Sequence, residues 1–264
     1  MKKYQLKLQF LGLFFLLFLT TGLFSQEKNH SLRKYQHVKV FFNGIAKKAT
    51  EICLKNNIPP ASLLAIAGLE SGWNQGYIGK ISGNILSLNI NQKSRQLPPL
   101  YLPTLLKENR VLFDSLEIKK YKSSELKWKK RPESFKKDYR PIPFRGTTYN
   151  LGYFQNHPKE KNKAHLQNIT DFVTTFIGRE SRIKVYRDAR KKMDSLVKIH
   201  GKEILLKEKT AIDFINAIGG KPNSYNFRET WPKKVIYIIN RAGLVDLTKK
   251  LNKGDTFDIA WNKK

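Results

Sequence analysis

Residues 58–91 read IPPASLLAIAGLESGWNQGYIGKISGNILSLNIN, and this stretch decides the fold that the sequence predicts. Pro59 and Pro60 favour the start of a helix, because the first helical N–H needs no partner and proline already holds a helical φ. Gly72 suits the left-handed residue that commonly ends a helix. The sequence therefore predicts a helix that begins near Pro60 and ends near Gly72.

One face of this predicted helix carries a carboxylate among apolar side chains. Leu63, Ile66, Ala67 and Glu70 fall at i, i+3, i+4 and i+7, which is the spacing of a single helical face. A carboxylate in the last turn meets the negative end of the helix dipole and faces the core side, and both effects raise its pKa. Glu70 is therefore the candidate general acid. The alternative is a glutamate whose head reaches solvent past the helix end.

The residues around Glu70 carry a resemblance to a known family. "LLAIAGLESGWN" resembles the signature of the peptidoglycan-cleaving endo-β-N-acetylglucosaminidases of the flagellar and autolysin type, including Bax-like proteins. "GNILSLN" is similar to the Asn-Asn-Leu-Phe-Gly-Ile-Lys segment that follows in that family, with Asn84 at its second asparagine. Ser87 replaces the glycine of that segment and Asn89 replaces its lysine.

The resemblance covers roughly residues 59–247, with a poorly matched middle. It implies a mainly α (α+β), lysozyme-like helical domain with a small β-hairpin lobe beside a cleft. The implied activity is hydrolysis of the peptidoglycan glycan strand at N-acetylglucosamine, with Glu70 as the acid. Trp73 would hold the sugar through its flat ring, and Asn84 would shape a turn or bind an acetamido group. No cofactor is implied.

A second match precedes the last predicted helix. The family has Gly-Tyr-Ala-Thr-Asp-Pro-x-Tyr there, and a gapless count places Tyr225 at the first tyrosine and Trp231 at the second. Ser224 stands for the glycine, while Phe227 and Arg228 stand for the threonine and aspartate. The resemblance implies Tyr225 as a catalytic residue and Trp231 as a substrate-binding residue. The alternative is two aromatic side chains that pack the last helix.

A glycosidase usually needs a second carboxylate, which acts as base or nucleophile. The family carries it on the β lobe, and Glu125 in the segment Ser-Ser-Glu-Leu resembles that position. Glu133 is the close alternative. The substrate's own acetamido carbonyl could also assist, and then no second acid is required.

The charge of the chain indicates an anionic partner. Its 264 residues contain 50 Lys and Arg against 21 Asp and Glu, a formal net charge of +29. The expected partner is the peptidoglycan glycan strand, with other anionic envelope polymers as a second class. The basic stretch from Lys119 to Arg140 is either a cleft wall that attracts such a polymer or a solvated face.

The N-terminus argues against nucleic acid as the partner. Lys2, Lys3 and Lys7 precede an apolar run and small residues, which is the pattern of a secretory signal peptide over residues 1–25. Removing it takes away three lysines and no acid, so the charge changes from +29 to +26. We expect an exported monomer in the periplasm or cell envelope, and an uncleaved membrane anchor is the alternative.

Metal chemistry has no support in the sequence. Cys53 is the only cysteine, and its apolar surroundings indicate an inert buried thiol. The five histidines show no metal-binding spacing such as H-E-x-x-H. No metal site is therefore predicted.

The remaining elements are predicted from periodicity and turn residues. A helical lead-in occupies residues 26–57, and a variable basic lobe occupies residues 92–148 within a domain at 58–247. In the lobe, a short helix is expected over 104–116, and strands over 124–128 and 135–144 around a turn at Arg131–Pro132. Asn168 or Thr170 is expected to cap a helix, the last helix to span 231–247, and residues 248–264 to form a tail.

The sequence is also consistent with two other functions. A lytic transglycosylase also uses one glutamate at a helix end on a lysozyme-like fold. A basic wall- or membrane-binding protein on the same scaffold would need no catalytic residue, and the departures at Ser87 and Arg228 are consistent with it.

Overall fold

The computed structural model describes residues 30–90 and 96–262. The predicted signal peptide lies outside the described residues. Eleven α-helices are described: α1 Gln36–Lys55, α2 Pro60–Ser71, α3 Tyr77–Ser82, α4 Ser115–Ile118, α5 Tyr153–Asn156, α6 Pro158–Asp171, α7 Lys184–His200, α8 Glu208–Ile218, α9 Thr230–Arg241, α10 Leu244–Asn252 and α11 Phe257–Asn262. Five strands are described: β1 Gln96–Leu97, β2 Leu100–Leu105, β3 Arg110–Val111, β4 Leu126–Arg131 and β5 Ser134–Lys137. The chain is therefore mainly α with a small antiparallel β lobe, and the predicted fold class is confirmed.

Helix α2 is the centre of the helical body. It starts at Pro60 and ends at Gly72, whose φ of 55° is left-handed, as the sequence predicts. Every residue from Pro60 to Gly68 is buried, so the helix has no solvated face. Helices α1, α8, α9 and α10 pack around it. A helix that is apolar all round is stable only when it is covered on every side.

Helix α1 lies in the segment predicted as a helical lead-in, covers one side of α2 and contributes to the core. Its apolar stripe includes Phe42, Ile45 and Cys53, which are at most 1% exposed. Burial raises the pKa of the Cys53 thiol, which agrees with the inert cysteine expected from the sequence.

The β lobe differs from the predicted hairpin in its pairing. β4 and β5 flank the expected turn, but β4 pairs with β2 and β5 pairs with β1, all antiparallel. The helix expected over 104–116 is wrong, because that segment contains the end of β2, strand β3 and the start of α4. Leu100 and Leu102 of β2 are buried against Ile81, so tertiary packing overrides the local helical spacing.

A buried ion pair organises the connection from the β lobe back to the helices. Asp138 and Arg140 are fully buried, and Nη2 of Arg140 lies 2.7 Å from Oδ2 of Asp138. Arg140 also donates to the carbonyl oxygens of Thr147 and Tyr149, at 2.9 and 3.1 Å. The pair therefore holds the loop at residues 141–150 against the body.

Three side chains hold the apolar segment at residues 84–88. Asn84 donates to the carbonyl of Leu88 and accepts from its N–H, at 2.8 and 2.9 Å. Asn168 accepts from the N–H groups of Ile85 and Leu86, both at 2.9 Å. The Tyr225 hydroxyl donates to the Leu86 carbonyl.

Asn168 does not cap a helix. It is fully buried three residues before the end of α6, so the predicted capping role is wrong at this position. The local pattern of polar residues is typical of a helix cap. In the structure, the amide oxygen of Asn168 instead accepts hydrogen bonds from a segment more than 80 positions earlier.

The C-terminal part is more folded than the sequence indicates. The helix expected over 231–247 breaks at Gly243, whose φ is 60°, and becomes α9 and α10. The segment expected as a tail forms the end of α10 and α11, and Trp261 is 3% exposed. Arg33 donates to the carbonyl of Trp261 and lies over its ring, so the two ends of the described chain pack together.

Membrane-spanning helices are not seen: within residues 30–90 and 96–262, no helix is long and apolar enough to cross a bilayer.

We predict that Asn168→Ala destabilises the protein by about 2 kcal/mol or more, because it leaves two buried backbone N–H groups unpaired, at about 1–3 kcal/mol for each such group. Urea unfolding of both proteins measures the change in the free energy of unfolding. Gln167→Ala is the matched control, since Gln167 is an exposed neighbour on the same helix. Equal stability of the two variants would contradict the structural role of Asn168.

Candidate active site

Glu70 lies where the sequence predicts, in the last turn of α2. It is half-buried, and its Oε1 accepts a hydrogen bond of 2.9 Å from Nε1 of Trp231. Trp231 is 3% exposed and packs so closely on Gly219 that a Cβ at that glycine would collide with its ring. The indole, and with it the carboxyl of Glu70, is therefore held in one orientation.

The environment of Glu70 favours its protonated form. Burial raises the pKa of the Glu70 carboxyl above its ordinary value of 4.5. The hydrogen bond from Trp231 and the charges of Lys136 and Arg228 lower the pKa and offset part of this rise. A carboxylic acid with a raised pKa and a fixed hydrogen-bond donor can deliver a proton near neutral pH.

Glu70 opens into a cleft of about 360 Å³ between α2 and the β lobe. The cleft is lined by side chains of both lobes, among them Ser71, Tyr77, Ser87, Glu133, Ser134 and Lys136. Glu133 is exposed in the turn between β4 and β5, and its Oε1 accepts from Nε2 of Gln96 at 2.6 Å. The cleft therefore contains two carboxylates, Glu70 on the helical side and Glu133 on the β side.

Lys136 is a cleft residue that sequence reasoning did not single out. Its Nζ donates to the carbonyl of Ser87 at 2.7 Å. Burial lowers the pKa of Lys136, and the charge of Glu70 opposes that change. Among the described members of the basic stretch 119–140, it lines the cleft while Lys127, Lys129 and Lys130 are exposed on β4. Nothing in the run of lysines distinguishes it, because the distinction arises from strand pairing.

Ser87 adopts a backbone conformation that favours glycine. Its φ is 57°, a left-handed conformation that glycine adopts freely and other residues adopt at a cost. The resemblance places the family's glycine at this position. The carbonyl of this left-handed serine is bound by Lys136.

Glu125 is not brought to the cleft. It is exposed, and its Oε2 accepts from the backbone N–H of Lys122 at 2.8 Å, which caps the 3₁₀ turn Ser123–Glu125. The strand that follows it pairs Leu126 with Leu105, at the opposite end of β4 from Glu133. Of the two candidates for the second carboxylate, Glu133 lies on the cleft.

Trp73 also lies away from the cleft. Its φ is 53°, and its ring contacts His37 of α1 edge-on, with 5.8 Å between the centroids. It lines a different groove from the one into which Glu70 opens.

Asn84 lines the cleft, but its side-chain amide is hydrogen-bonded to the backbone of the fold. Both of its N–H groups are taken by the carbonyls of Leu88 and Lys137, at 2.8 and 2.9 Å. Of the two roles expected for Asn84, this geometry fits the shaping of the turn.

Tyr225 and Trp231 lie next to Glu70 and pack on each other, with 5.3 Å between the ring centroids. Burial raises the pKa of Tyr225 well above its ordinary value, with smaller contributions from Glu70 and Tyr186. Since the hydroxyl of Tyr225 is bound to Leu86, it supports the cleft wall. Trp231 therefore binds Glu70 directly, whereas Tyr225 holds the neighbouring segment at Leu86.

Metal ligands are not clustered: among the described residues, no group of three or more His, Cys, Asp or Glu could hold an ion.

Comparisons with known proteins give one structural likeness. No family model and no curated protein matches the chain. The chain is similar to the catalytic domain of the autolysin Auto from Listeria monocytogenes, at 17% identity over 80% of this chain and 88% of that one, with a TM-score of 0.44. A likeness of this size carries no conclusion about activity.

We predict that Trp231→Phe raises the pKa of Glu70 further, because the indole N–H stabilises the ionised carboxylate. A titration of the Glu70 side-chain carbon by NMR measures the shift. Tyr225→Phe is the control, since it removes a hydroxyl beside Glu70 that binds Leu86 instead. An unchanged pKa in Trp231→Phe would show that the hydrogen bond does not stabilise the carboxylate.

We also predict a pH-dependent stability difference between the wild-type protein and Glu70→Gln. Because the pKa of Glu70 is raised on folding, its protonated form stabilises the wild type below the unfolded pKa of about 4.5. That contribution is lost as the pH rises through the folded pKa, whereas the neutral glutamine does not titrate. The stability of Glu70→Gln relative to wild type should therefore increase in urea unfolding as the pH rises above about 4.5. A difference that does not change with pH would mean that the pKa of Glu70 is not raised.

Proposed function

We propose that this protein hydrolyses the glycan strand of peptidoglycan at N-acetylglucosamine, with Glu70 as the general acid. The observation that carries the proposal is the half-buried carboxyl of Glu70, held by Trp231 at one wall of a cleft whose other wall carries Glu133. The resemblance of the Glu70 segment to the glucosaminidase signature names the substrate class.

The geometry supports a proton transfer from Glu70 to the glycosidic oxygen. As the C1–O bond breaks, the leaving sugar gains that proton and the anomeric carbon becomes electron-poor. Glu133 could then activate a water molecule or attack the anomeric carbon directly. If the substrate's acetamido carbonyl attacks instead, Glu133 is dispensable. When Glu133 or the acetamido carbonyl attacks, water then adds to the anomeric carbon and gives a proton back to Glu70. When Glu133 activates the water instead, Glu133 takes that proton, and exchange with solvent returns a proton to Glu70 and removes one from Glu133.

Lys136 and Trp231 have supporting roles in this proposal. Once Glu70 has lost its proton, the indole N–H and the ammonium group of Lys136 stabilise the carboxylate. This stabilisation is needed because the site is partly removed from water. The two groups thus set how readily Glu70 releases and recovers the proton.

The charge and the N-terminal pattern suit a cell-envelope substrate. A chain of net charge +29 attracts anionic polymers, and the exposed lysines of β4 extend this field beside the cleft. We therefore propose that the protein acts in the periplasm or cell envelope as a monomer.

We predict that Glu70→Gln lowers the rate of sacculus digestion by about 10²–10⁴-fold, because a positioned acid contributes a factor of this size. Release of soluble fragments from purified sacculi measures the rate, and circular dichroism checks that the variant is folded. A folded Glu70→Gln protein that still digests sacculi would remove Glu70 from the mechanism.

Two matched variants locate the second carboxylate. Glu133→Gln should slow the reaction at least about tenfold if that residue is the base or nucleophile, while Glu125→Gln on the same lobe should be unaffected. A fully active Glu133→Gln protein would show that Glu133 is dispensable, and attack by the substrate's acetamido carbonyl would remain as the route. A loss confined to Glu125→Gln would contradict the assignment from the cleft geometry.

Product analysis separates the other functions. Mass spectrometry should find new reducing ends at N-acetylglucosamine. Anhydro-muramic ends would identify a lytic transglycosylase, and binding to sacculi without any product would identify a wall-binding protein.

A further inference from the structure

The β lobe carries a pair of exposed aromatic rings outside the cleft. Tyr101 of β2 and Trp128 of β4 are 66% and 44% exposed. Their rings stack on each other, with 5.2 Å between the centroids and 25° between the planes. Neither residue lines the cleft that contains Glu70 and Glu133. The ring pair is therefore a separate feature of the surface, and the proposed reaction does not use it.

Strand register explains why both rings point away from the core. Leu100 and Leu102 are buried on the inner face of the sheet, and Tyr101 lies between them along β2. Since successive side chains of a strand point to opposite faces, Tyr101 belongs to the outer face. Trp128 is paired with Pro103, two positions after Tyr101, and so lies on the same outer face.

Strand β4 gives this outer face a positive charge. Its sequence LKWKKR contains four basic residues and no acid. Lys130 is paired with Tyr101, so its side chain lies on the outer face beside the rings. Within residues 30–90 and 96–262, Lys127, Lys129 and Lys130 form no ion pair. Their ammonium groups are therefore available to an anionic ligand.

The position of β4 in its sheet accounts for the lysines but not for the aromatic rings. The strand order is β3-β2-β4, so β4 lies at an edge of this sheet. Lysines on an edge strand protect it from pairing with another chain. Exposed apolar rings have the opposite effect, because they favour association. Cross-strand aromatic pairs also stabilise a sheet, so stability has to be measured beside binding.

We propose that Tyr101, Trp128 and Lys130 form an accessory binding site for the peptidoglycan strand, which we call the outer aromatic face. A tyrosine or tryptophan ring offers an apolar face to the C–H groups of a sugar and a polar edge to its hydroxyl groups. The lysine supplies the charge for the free carboxylates of the peptides that the glycan carries. The identity of this ligand rests on the proposed function.

A sugar polymer fits the outer aromatic face better than a lipid surface does. Binding in a membrane interface depends on apolar side chains that enter the acyl boundary. The exposed side chains that form this face are two aromatic rings with polar edges and a lysine. These groups suit a ligand that presents sugar faces, hydroxyl groups and carboxylates together.

The outer aromatic face and the cleft belong to the same lobe. Strand β4, which carries Trp128, leads directly into the turn that carries Glu133. A long glycan held at the outer aromatic face keeps its other segments at a high local concentration near the cleft. Binding at this face should therefore lower the sacculus concentration that gives half of the maximal rate, while the maximal rate stays unchanged.

Alanine variants test the rings in the folded Glu70→Gln protein, so that digestion does not compete with binding. Co-sedimentation with purified sacculi measures the affinity, and urea unfolding measures the stability of each variant. Trp128→Ala and Tyr101→Ala should each weaken binding about tenfold. Tyr237→Ala is the matched control and should bind as before, since Tyr237 is 54% exposed but lies on α9. Equal binding by folded Trp128→Ala and Tyr237→Ala would overturn the proposal.

Two neighbouring lysines test the face on which the ligand lies. Lys130→Gln should weaken binding to sacculi about threefold, as for one exposed ion pair. Lys129→Gln removes the same charge from the opposite side of the strand and should have a smaller effect. Since both variants change the overall field equally, the difference between them reports local contact. Equal effects would contradict the placement of the ligand on the outer aromatic face.

A measurement without substitutions at the face keeps the test independent of variant stability. NMR follows the indole N–H of Trp128 in the Glu70→Gln protein, with chitohexaose and phosphatidylglycerol vesicles as separate probes. We expect a shift with chitohexaose and no response to the vesicles. A response to the vesicles alone would assign the face to a membrane, and no shift with chitohexaose would remove the sugar site.

The two proposals fail in different ways. If the wild-type protein digests sacculi and Trp128→Ala does so with the same concentration dependence, the accessory site is wrong and the hydrolysis stands. If sacculi are not digested but Trp128→Ala loses binding to them, the site stands and the hydrolysis is wrong. We expect active Trp128→Ala protein to need an about tenfold higher sacculus concentration for half of an unchanged maximal rate.

Discussion

The burial of α2 on every side is the constraint on which the rest of the structure depends. The helix has no polar face, so four other helices must cover it. Its polar side chains are Ser62, which donates to the carbonyl of Ala211 at 2.9 Å, and Glu70 and Ser71 at its C-terminal end. The left-handed Gly72 ends the helix directly after Ser71, two positions beyond Glu70. Glu70 is thereby placed at the boundary between the core and the cleft, where burial raises its pKa while the carboxyl remains reachable.

The β lobe forms the other wall of the cleft, and buried polar contacts fix it to the helical body. Asn84 binds the backbone of both Leu88 and Lys137, which joins the segment after α3 to strand β5. Lys137 and Tyr139 both bind the carboxylate of Asp171 at the end of α6. Asp138 pairs with Arg140 in the segment that directly follows β5. Removing one partner of the fully buried Asp138–Arg140 pair is costly, so the attachment of the β lobe depends on buried contacts rather than on surface loops alone.

The electrostatics of the cleft balance two opposing effects. Burial favours the neutral acid at Glu70, whereas Trp231, Lys136 and Arg228 favour its ionised form. An acid that gives up a proton and later recovers it requires both states to be accessible. Lys136 donates to the carbonyl of Ser87, so this left-handed residue also orients a charge in the site.

The sequence by itself determined the central helix, its two ends and the carboxylate in its last turn. These features are local: proline and glycine set the backbone, and the apolar spacing requires burial. The tertiary structure alone decided which distant groups meet Glu70. Trp231, which the sequence predicts to bind substrate, is 161 positions away, and its indole N–H donates to Glu70. Strand pairing placed Glu133 and Lys136 on the cleft and left Glu125 as a cap, because partners in a sheet are chosen by packing rather than by local pattern.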